Sequence, residues 1–254
     1  MRIFAAMRYF LEVSYNGTAF HGSQIQGELS TVQLAINRAV STILRQPIET
    51  FGASRTDEGV HALGNFYHFD TETALPENFV YRLNAILPFE IAVVTCRVPQ
   101  NQEEANARFD ALSRHYNYKL YTTKNPFLHH RAYFYPYKID RELLHQTARL
   151  LLGRKDFTSF SKRNTQTKTF FCTVEEAYWT FSGDAFCFDV RANRFLRGMV
   201  RALVGTQLQV ARGKMSLEEF AALFERKDCR LADFSVPGHG LYLEDIRYPE
   251  NYFL

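Results

Sequence analysis

A carboxylate set among small and cationic residues is the first candidate for chemistry. Residues 52–62 read Gly-Ala-Ser-Arg-Thr-Asp-Glu-Gly-Val-His-Ala, so Arg55, Thr56, Asp57 and Glu58 lie between two glycines. Catalytic groups concentrate on loops carried by rigid elements. Asp57 could serve there as nucleophile or base, with Arg55 as its counter-charge. The same letters also describe an ordinary turn with a surface ion pair. Spacing alone leaves both readings open.

Two more stretches carry chemistry-bearing side chains. Residues 113–121, Ser-Arg-His-Tyr-Asn-Tyr-Lys-Leu-Tyr, alternate as a strand would. Tyr116 and Tyr118 then point one way, and His115, Lys119 and Tyr121 the other. Tyr beside cations suits base stacking and phosphate binding. One core face and one solvated face would give the same pattern. Residues 191–214 contain Arg191, Arg194, Arg197, Arg201, Arg212 and Lys214, without Asp or Glu. At helical spacing Arg194, Arg197 and Arg201 line one stripe, with Phe195, Leu196, Met199, Val200 and Leu203 opposite. A polar face of one sign favours a phosphate-rich partner, because solvated faces usually mix signs. Arg154, Lys155, Lys162, Arg163 and Lys168 add a second basic stretch, diluted by Asp156 and rich in Ser, Thr and Asn, which reads as a loop.

The elements that must position these groups can be read from periodicity. Alternation predicts strands at 8–15 and 115–122, aromatic content one at 65–70 and β-branched residues one at 91–98. Thr173 to Phe181 and Ala185 to Arg191 form a predicted strand pair joined at Ser182-Gly183-Asp184. Helices are predicted over 31–45, with a Ser30/Gln33 capping box, over 76–87, and over 141–152, closed by Gly153. Two more follow, from about Phe195 and from Ser216, the latter with a Ser216/Glu219 capping box. The polar run 99–106 is the predicted domain boundary. The class is α+β: two similar α/β lobes of mostly antiparallel sheet, joined across a central positively charged cleft. The N-terminal lobe, 1–103, would carry the Asp57 loop. The C-terminal lobe, 104–254, would carry the Tyr116 strand and the basic helix.

Composition narrows the class further. The chain has 254 residues, 46% hydrophobic and 22% charged, which is an ordinary globular balance. Its net charge of +3 does not by itself imply a nucleic-acid partner. Cys96, Cys172, Cys187 and Cys229 form no C-x-x-C pair, so a reduced, cytoplasmic protein without disulfides is expected. Residues 1–8 have no apolar core of a secretory signal, and no stretch is long enough to span a membrane. The eight histidines include His129-His130 but no zinc-type spacing, so no metal is expected. Walker and G-x-G-x-x-G loops are absent, as is G-x-S-x-G.

Residues 54–62, Ser-Arg-Thr-Asp-Glu-Gly-Val-His-Ala, resemble the signature of the TruA-type tRNA pseudouridine synthases, which is close to G-R-T-D-A-G-V-H-A. The stretch 15–24 is similar to that family's opening Y-x-G-x-x-F-x-G-W-Q. Residues 83–88, 107–111, 156–160, 199–201 and 240–243 also match family blocks, in the same order along nearly the whole chain. The resemblance implies that Asp57 is the catalytic aspartate and Tyr116 the tyrosine packed on the target uracil. It implies Arg201 as the aspartate's basic partner, Arg55 as the residue that displaces the target base, and Leu241 as an apolar wall. The implied activity is isomerisation of uridine in the tRNA anticodon stem-loop, at positions 38–40, by a homodimer without metal or organic cofactor. Arg194 and Arg197 join the expected substrate-binding set through their charge.

Isomerising uridine means breaking the glycosidic bond, turning the ring and rejoining it through carbon. That needs a nucleophile or charge stabiliser, a proton acceptor and an extruded base. Asp57 and Tyr116 supply such groups. The sequence departs from the family at Ser23, which replaces an aromatic, so a packing or stacking contact is expected to be lost. Glu58 puts a second negative charge directly after Asp57, and Ser54 replaces a glycine. Ala202 replaces an Asn, and Arg197-Gly198 replaces the common pair before Met199. Two other functions remain open at this point: a non-catalytic RNA-binding or tRNA-folding paralogue, and a carboxylate hydrolase of a nucleoside bond using Asp57 and Glu58. The second is the weaker, because adjacent residues rarely face one reacting centre.

Overall fold

The computed structural model describes residues 6–163 and 167–254. Part of the N-terminal stretch read for a signal, and the centre of the Ser/Thr/Asn-rich basic stretch, lie outside the described residues. The chain is mixed α+β, its strands mostly antiparallel. It divides into two compact units, one of residues 1–112 with 243–254, the other of residues 113–242.

In the first unit, strand β1 (Met7–Tyr15) leads through a short 3-10 turn to helix α1 (Val32–Leu44). Thr31 caps α1 by accepting from Leu34 N–H, so the expected Ser30/Gln33 capping box does not form. Gln33 is drawn away: its Oε1 accepts from Ile25 N–H and its Nε2 donates to Thr50 O. Strands β2 (Phe51–Gly52) and β3 (His61–Thr71) flank the Asp57 loop. Helix α2 (Phe79–Ile86) starts three residues later than periodicity predicts, after a left-handed Asn78, and β4 (Ile91–Arg97) follows. The strands run in the order β4-β1-β3, and β2 pairs antiparallel with β3. Phe10, Leu11, Val13, Ile36, Val40, Phe69 and Leu83 are fully buried and form the core of this unit.

In the second unit, β5 (Ser113–Tyr121) pairs antiparallel with β9 (Ala185–Ala192) and parallel with the short β6 (Tyr133–Phe134). Helix α3 (Arg141–Arg149), capped by Asp140, precedes β7 (Gly153–Asp156). The hairpin β8 (Phe171–Ser182) and β9 (Ala185–Ala192) turns where Ser-Gly-Asp predicts. Helix α4 (Met199–Ala211) and α5 (Leu217–Arg226) complete the unit, and the Ser216/Glu219 capping box forms at α5. The order is β5-β9-β8-β7. The final strand, β10 (Leu241–Arg247), lies mostly in the first unit and pairs there with β3.

Helix α4 corrects the basic-stripe expectation. It begins at Met199, after a left-handed Gly198, so Arg194 and Arg197 precede it and share no helical face with Arg201. Nearly all of α4 is buried, including Val200, Leu203, Val204, Gln207 and Leu208. A helix buried on most of its surface belongs in a core, not on an amphipathic surface. Its buried Gln207 is used internally, accepting from Trp179 Nε1 (2.9 Å) and Thr147 Oγ1 (3.2 Å).

Candidate active site

The Asp57 loop is fixed by hydrogen bonds beneath it. Ser23 is buried, and its hydroxyl accepts from Thr56 N–H at 2.8 Å, while its own N–H donates to Thr56 O at 3.0 Å. The Thr56 hydroxyl pairs with Tyr15 Oη at 2.9 Å. Asn65, completely buried, gives its Nδ2 to Ser54 O (2.9 Å) and Tyr15 Oη (3.2 Å), and its Oδ1 accepts from Ser54 N–H (3.3 Å). Polar groups so buried must be paired, and a network whose members are all satisfied rigidifies what it holds. Burial raises the Tyr15 phenol against the opposing pull of its hydrogen bonds, and raises Tyr67 well above its ordinary value. Both therefore remain neutral hydrogen-bonding groups.

Above this network the chain turns tightly. Val60 N–H donates to Asp57 O at 3.2 Å, and Gly59 takes the positive φ of 76° that the turn requires. Gly17 packs directly on Val60, and its N–H donates to His61 Nδ1 at 3.2 Å. Asp57 is thereby left half-buried and Arg55 and Glu58 exposed. A carboxylate on a stiff, partly open turn can meet a substrate without reorganising its support.

The second unit gathers another set. Tyr116 and Tyr118 share the buried face of β5, opposite Val190 and Phe188 of β9. Tyr116 meets Phe195 edge-to-face with centroids 5.0 Å apart. Tyr118 donates to Pro237 O at 2.8 Å, and Gly240 lies flat on its ring, where an added Cβ would fall 2.6 Å from Cζ. Arg201, half-buried, donates from Nε to Val236 O at 2.8 Å and from Nη2 to Phe234 O at 3.4 Å. Leu241, buried, follows Gly240 on the same segment. Tyr118, Arg201 and Leu241 are thus tied through residues 234–241. Arg194 is half-buried and Arg197 exposed, both on the loop before α4.

The opposite face of β5 is polar rather than simply solvated. His115 Nε2 lies 3.1 Å from Asp189 Oδ1, and Asn117 Nδ2 donates to the same oxygen at 2.9 Å. Arg191 is buried beside them and reaches Ser113 Oγ.

Sequence reasoning passed over Ser23, Asn65 and Gly17 as supports of the loop. Ser23 and Gly17 were visible in the block 15–24. At Ser23, where an aromatic contact is expected to be lost, the hydroxyl anchors the loop through Thr56 N–H. Asn65 carries no sequence signal beyond being polar in an aromatic strand. Among the described residues no group of three His, Cys, Asp or Glu could hold a metal ion, and no helix is long and apolar enough to cross a membrane.

Comparison with known proteins gives a consistent result. A family model described as tRNA pseudouridine synthase matches residues 147–249. A Parabacteroides distasonis protein named tRNA pseudouridine synthase A is 44% identical over 248 residues, covering 97% of this chain and 98% of its own. A protein of the same name from Bacteroides thetaiotaomicron is 44% identical over 250 residues, covering 97% and 92%. One from Bacillus subtilis is 36% identical over 247 residues, covering 95% and 99%.

Proposed function

The chain belongs to the tRNA pseudouridine synthase A family, and we propose that it isomerises uridine to pseudouridine at positions 38–40 of the tRNA anticodon stem-loop, with Asp57 as nucleophile. The observation that carries this reading is the Asp57 loop: a half-buried carboxylate on a turn anchored by buried and part-buried hydrogen bonds from Ser23, Tyr15 and Asn65. Such investment is unnecessary for an ordinary surface turn and is what a positioned nucleophile needs.

In the reaction the N1–C1′ bond breaks, the ring turns, and C5 bonds to C1′. The C5 proton leaves and N1 gains one. The change is redox-neutral and moves protons only, so the proposal includes no metal or organic cofactor. Asp57 supplies the nucleophile and Tyr116 packs against the uracil. Arg201 is the basic partner of Asp57, Arg55 displaces the target base from its stack, and Leu241 forms an apolar wall. Arg194 and Arg197 hold phosphates, so affinity should fall with salt. The protein acts in this reading as a cytoplasmic homodimer. It has an N-terminal lobe, 1–103, that brings Asp57 and a C-terminal lobe, 104–254, that brings Tyr116 and Arg201 to one uridine in a positively charged cleft.

Incubation with unmodified tRNA followed by chemical mapping of pseudouridine tests the reading. Pseudouridine at positions 38–40 is expected. Binding without modification would favour a tRNA-folding protein, and release of free uracil a hydrolase.

A further inference from the structure

A cavity of about 180 Å³ opens in the first unit where the Asp57 loop meets the turn at residues 106–109. Tyr67 lines it from within, Arg55 and Arg108 bring two guanidinium groups, and Phe51 and Phe109 bring two rings. Phe109 is 76% exposed and Phe51 50%. The volume is well below the roughly 300–1,000 Å³ of pockets that enclose drug-sized ligands. It suits one planar ring.

The exposed Phe109 is held on a rigid turn. Asn106 Oδ1 accepts from the N–H groups of Arg108 (2.9 Å) and Phe109 (3.2 Å). Asp110 Oδ2 accepts from Asn106 N–H and from Tyr252 Oη, both at 2.7 Å. Ala107, fully buried, donates to His68 Nδ1 at 3.3 Å and accepts from Tyr248 Oη at 2.6 Å. The Arg108 guanidinium carbon lies 5.5 Å from the Phe109 centroid, and the ring stays open to solvent. An apolar ring costs free energy in water, and holding it rigidly there removes any relief by folding inward. A pre-organised ring beside two cations is instead the equipment that binds single-stranded nucleic acid: a stacking platform with charges for the backbone.

We propose that this cavity is a second nucleotide subsite. It takes one unpaired nucleotide of the RNA strand flanking the target uridine. The base stacks on Phe109, and its phosphate is held by Arg108, beside the Arg55 that displaces the target base. The subsite rests on the RNA-modifying function proposed above and adds the residues that read the strand outside the target base.

The test uses the full chain and anticodon stem-loop RNAs that carry 2-aminopurine at one flanking position at a time. Phe109→Ala should raise KM and Kd about fivefold or more, the lower end of what a lost base–aromatic stack gives. Its kcat should stay within about twofold. Phe109→Trp, which keeps a platform, should restore wild-type values. With the wild-type protein one flanking position should change fluorescence on binding, and Phe109→Ala should abolish that change. A KM and Kd that move less than about twofold, or a loss confined to kcat, overturns the subsite. So does fluorescence at every flanking position that ignores Phe109. The same reactions separate the two proposals. Pseudouridine formed by a Phe109→Ala protein with unaltered binding sinks the subsite alone. Phe109-dependent binding without any pseudouridine sinks the catalytic reading alone.

Discussion

Substituting Gly17 by alanine should disable the Asp57 loop from outside it. An ideal Cβ on Gly17 would lie 1.9 Å from Val60 O and 2.6 Å from Val60 C, where ordinary contact begins at 3.4 Å. The obstacle is backbone, so no side chain can swing aside. Val60 must retreat by about 1.5 Å, a distance set by the repulsive wall of the atoms. Val60 N–H donates to Asp57 O, so that shift passes directly to the carboxylate's own peptide. A misplacement of about 1 Å can cost about 100-fold in rate. Overpacking of this kind destabilises by about 1–3 kcal/mol. The assay is release of the C5 hydrogen of tritiated uridine in saturating anticodon-arm RNA, beside a thermal melt and an RNA-binding titration. The expected result is a folded protein with a lowered Tm, near-normal RNA affinity, and kcat reduced about 100-fold. A folded Gly17→Ala protein with kcat within about threefold of wild type would refute the claim that Asp57 must be held in this place.

Two further outcomes follow from the same framework. Ser23→Ala leaves the Thr56 N–H without its acceptor, and stability should fall by about 1–3 kcal/mol, read as a lower urea midpoint. An unchanged midpoint would mean the loop is held elsewhere. His68 is held down to about 4 by burial and then by the Arg8 charge, so it is neutral and its Nδ1 can accept from Ala107 N–H. Its contribution is complete above its ordinary value of 6.5 and is lost as pH falls toward about 4, by up to about 3 kcal/mol. Urea melts at pH 7 and pH 4.5 should show that loss, and His68→Gln should flatten it. A His68→Gln protein with the wild-type slope would contradict the assignment.

Local pattern was legible where one element explains itself. The alternation of β1, the Ser-Gly-Asp turn between β8 and β9, and the capping box at Ser216 each need only neighbours in sequence. The periodicity of α4 suggests a boundary between core and solvent that the folded helix does not have. Tertiary packing buries most of it, and Gly198 starts it four residues later than expected, stranding Arg194 and Arg197 on the loop before it. Of the candidate site, the Asp57 loop and the Tyr116 strand stood out by residue type. Their supports did not. Asn65 matters because the fold brings Ser54 and Tyr15 to it across 11 and 50 residues, a relation no local spacing encodes. Ser23 was read as a missing aromatic because its partner, Thr56, is 33 residues away.

If Asp57 performs the isomerisation, removing its carboxylate removes the activity. Asp57→Ala protein is incubated with unmodified tRNA and analysed by pseudouridine mapping. The expected result is no pseudouridine at positions 38–40, with the wild-type fold and most RNA affinity retained. Full modification by the Asp57→Ala protein would show that Asp57 is not the nucleophile.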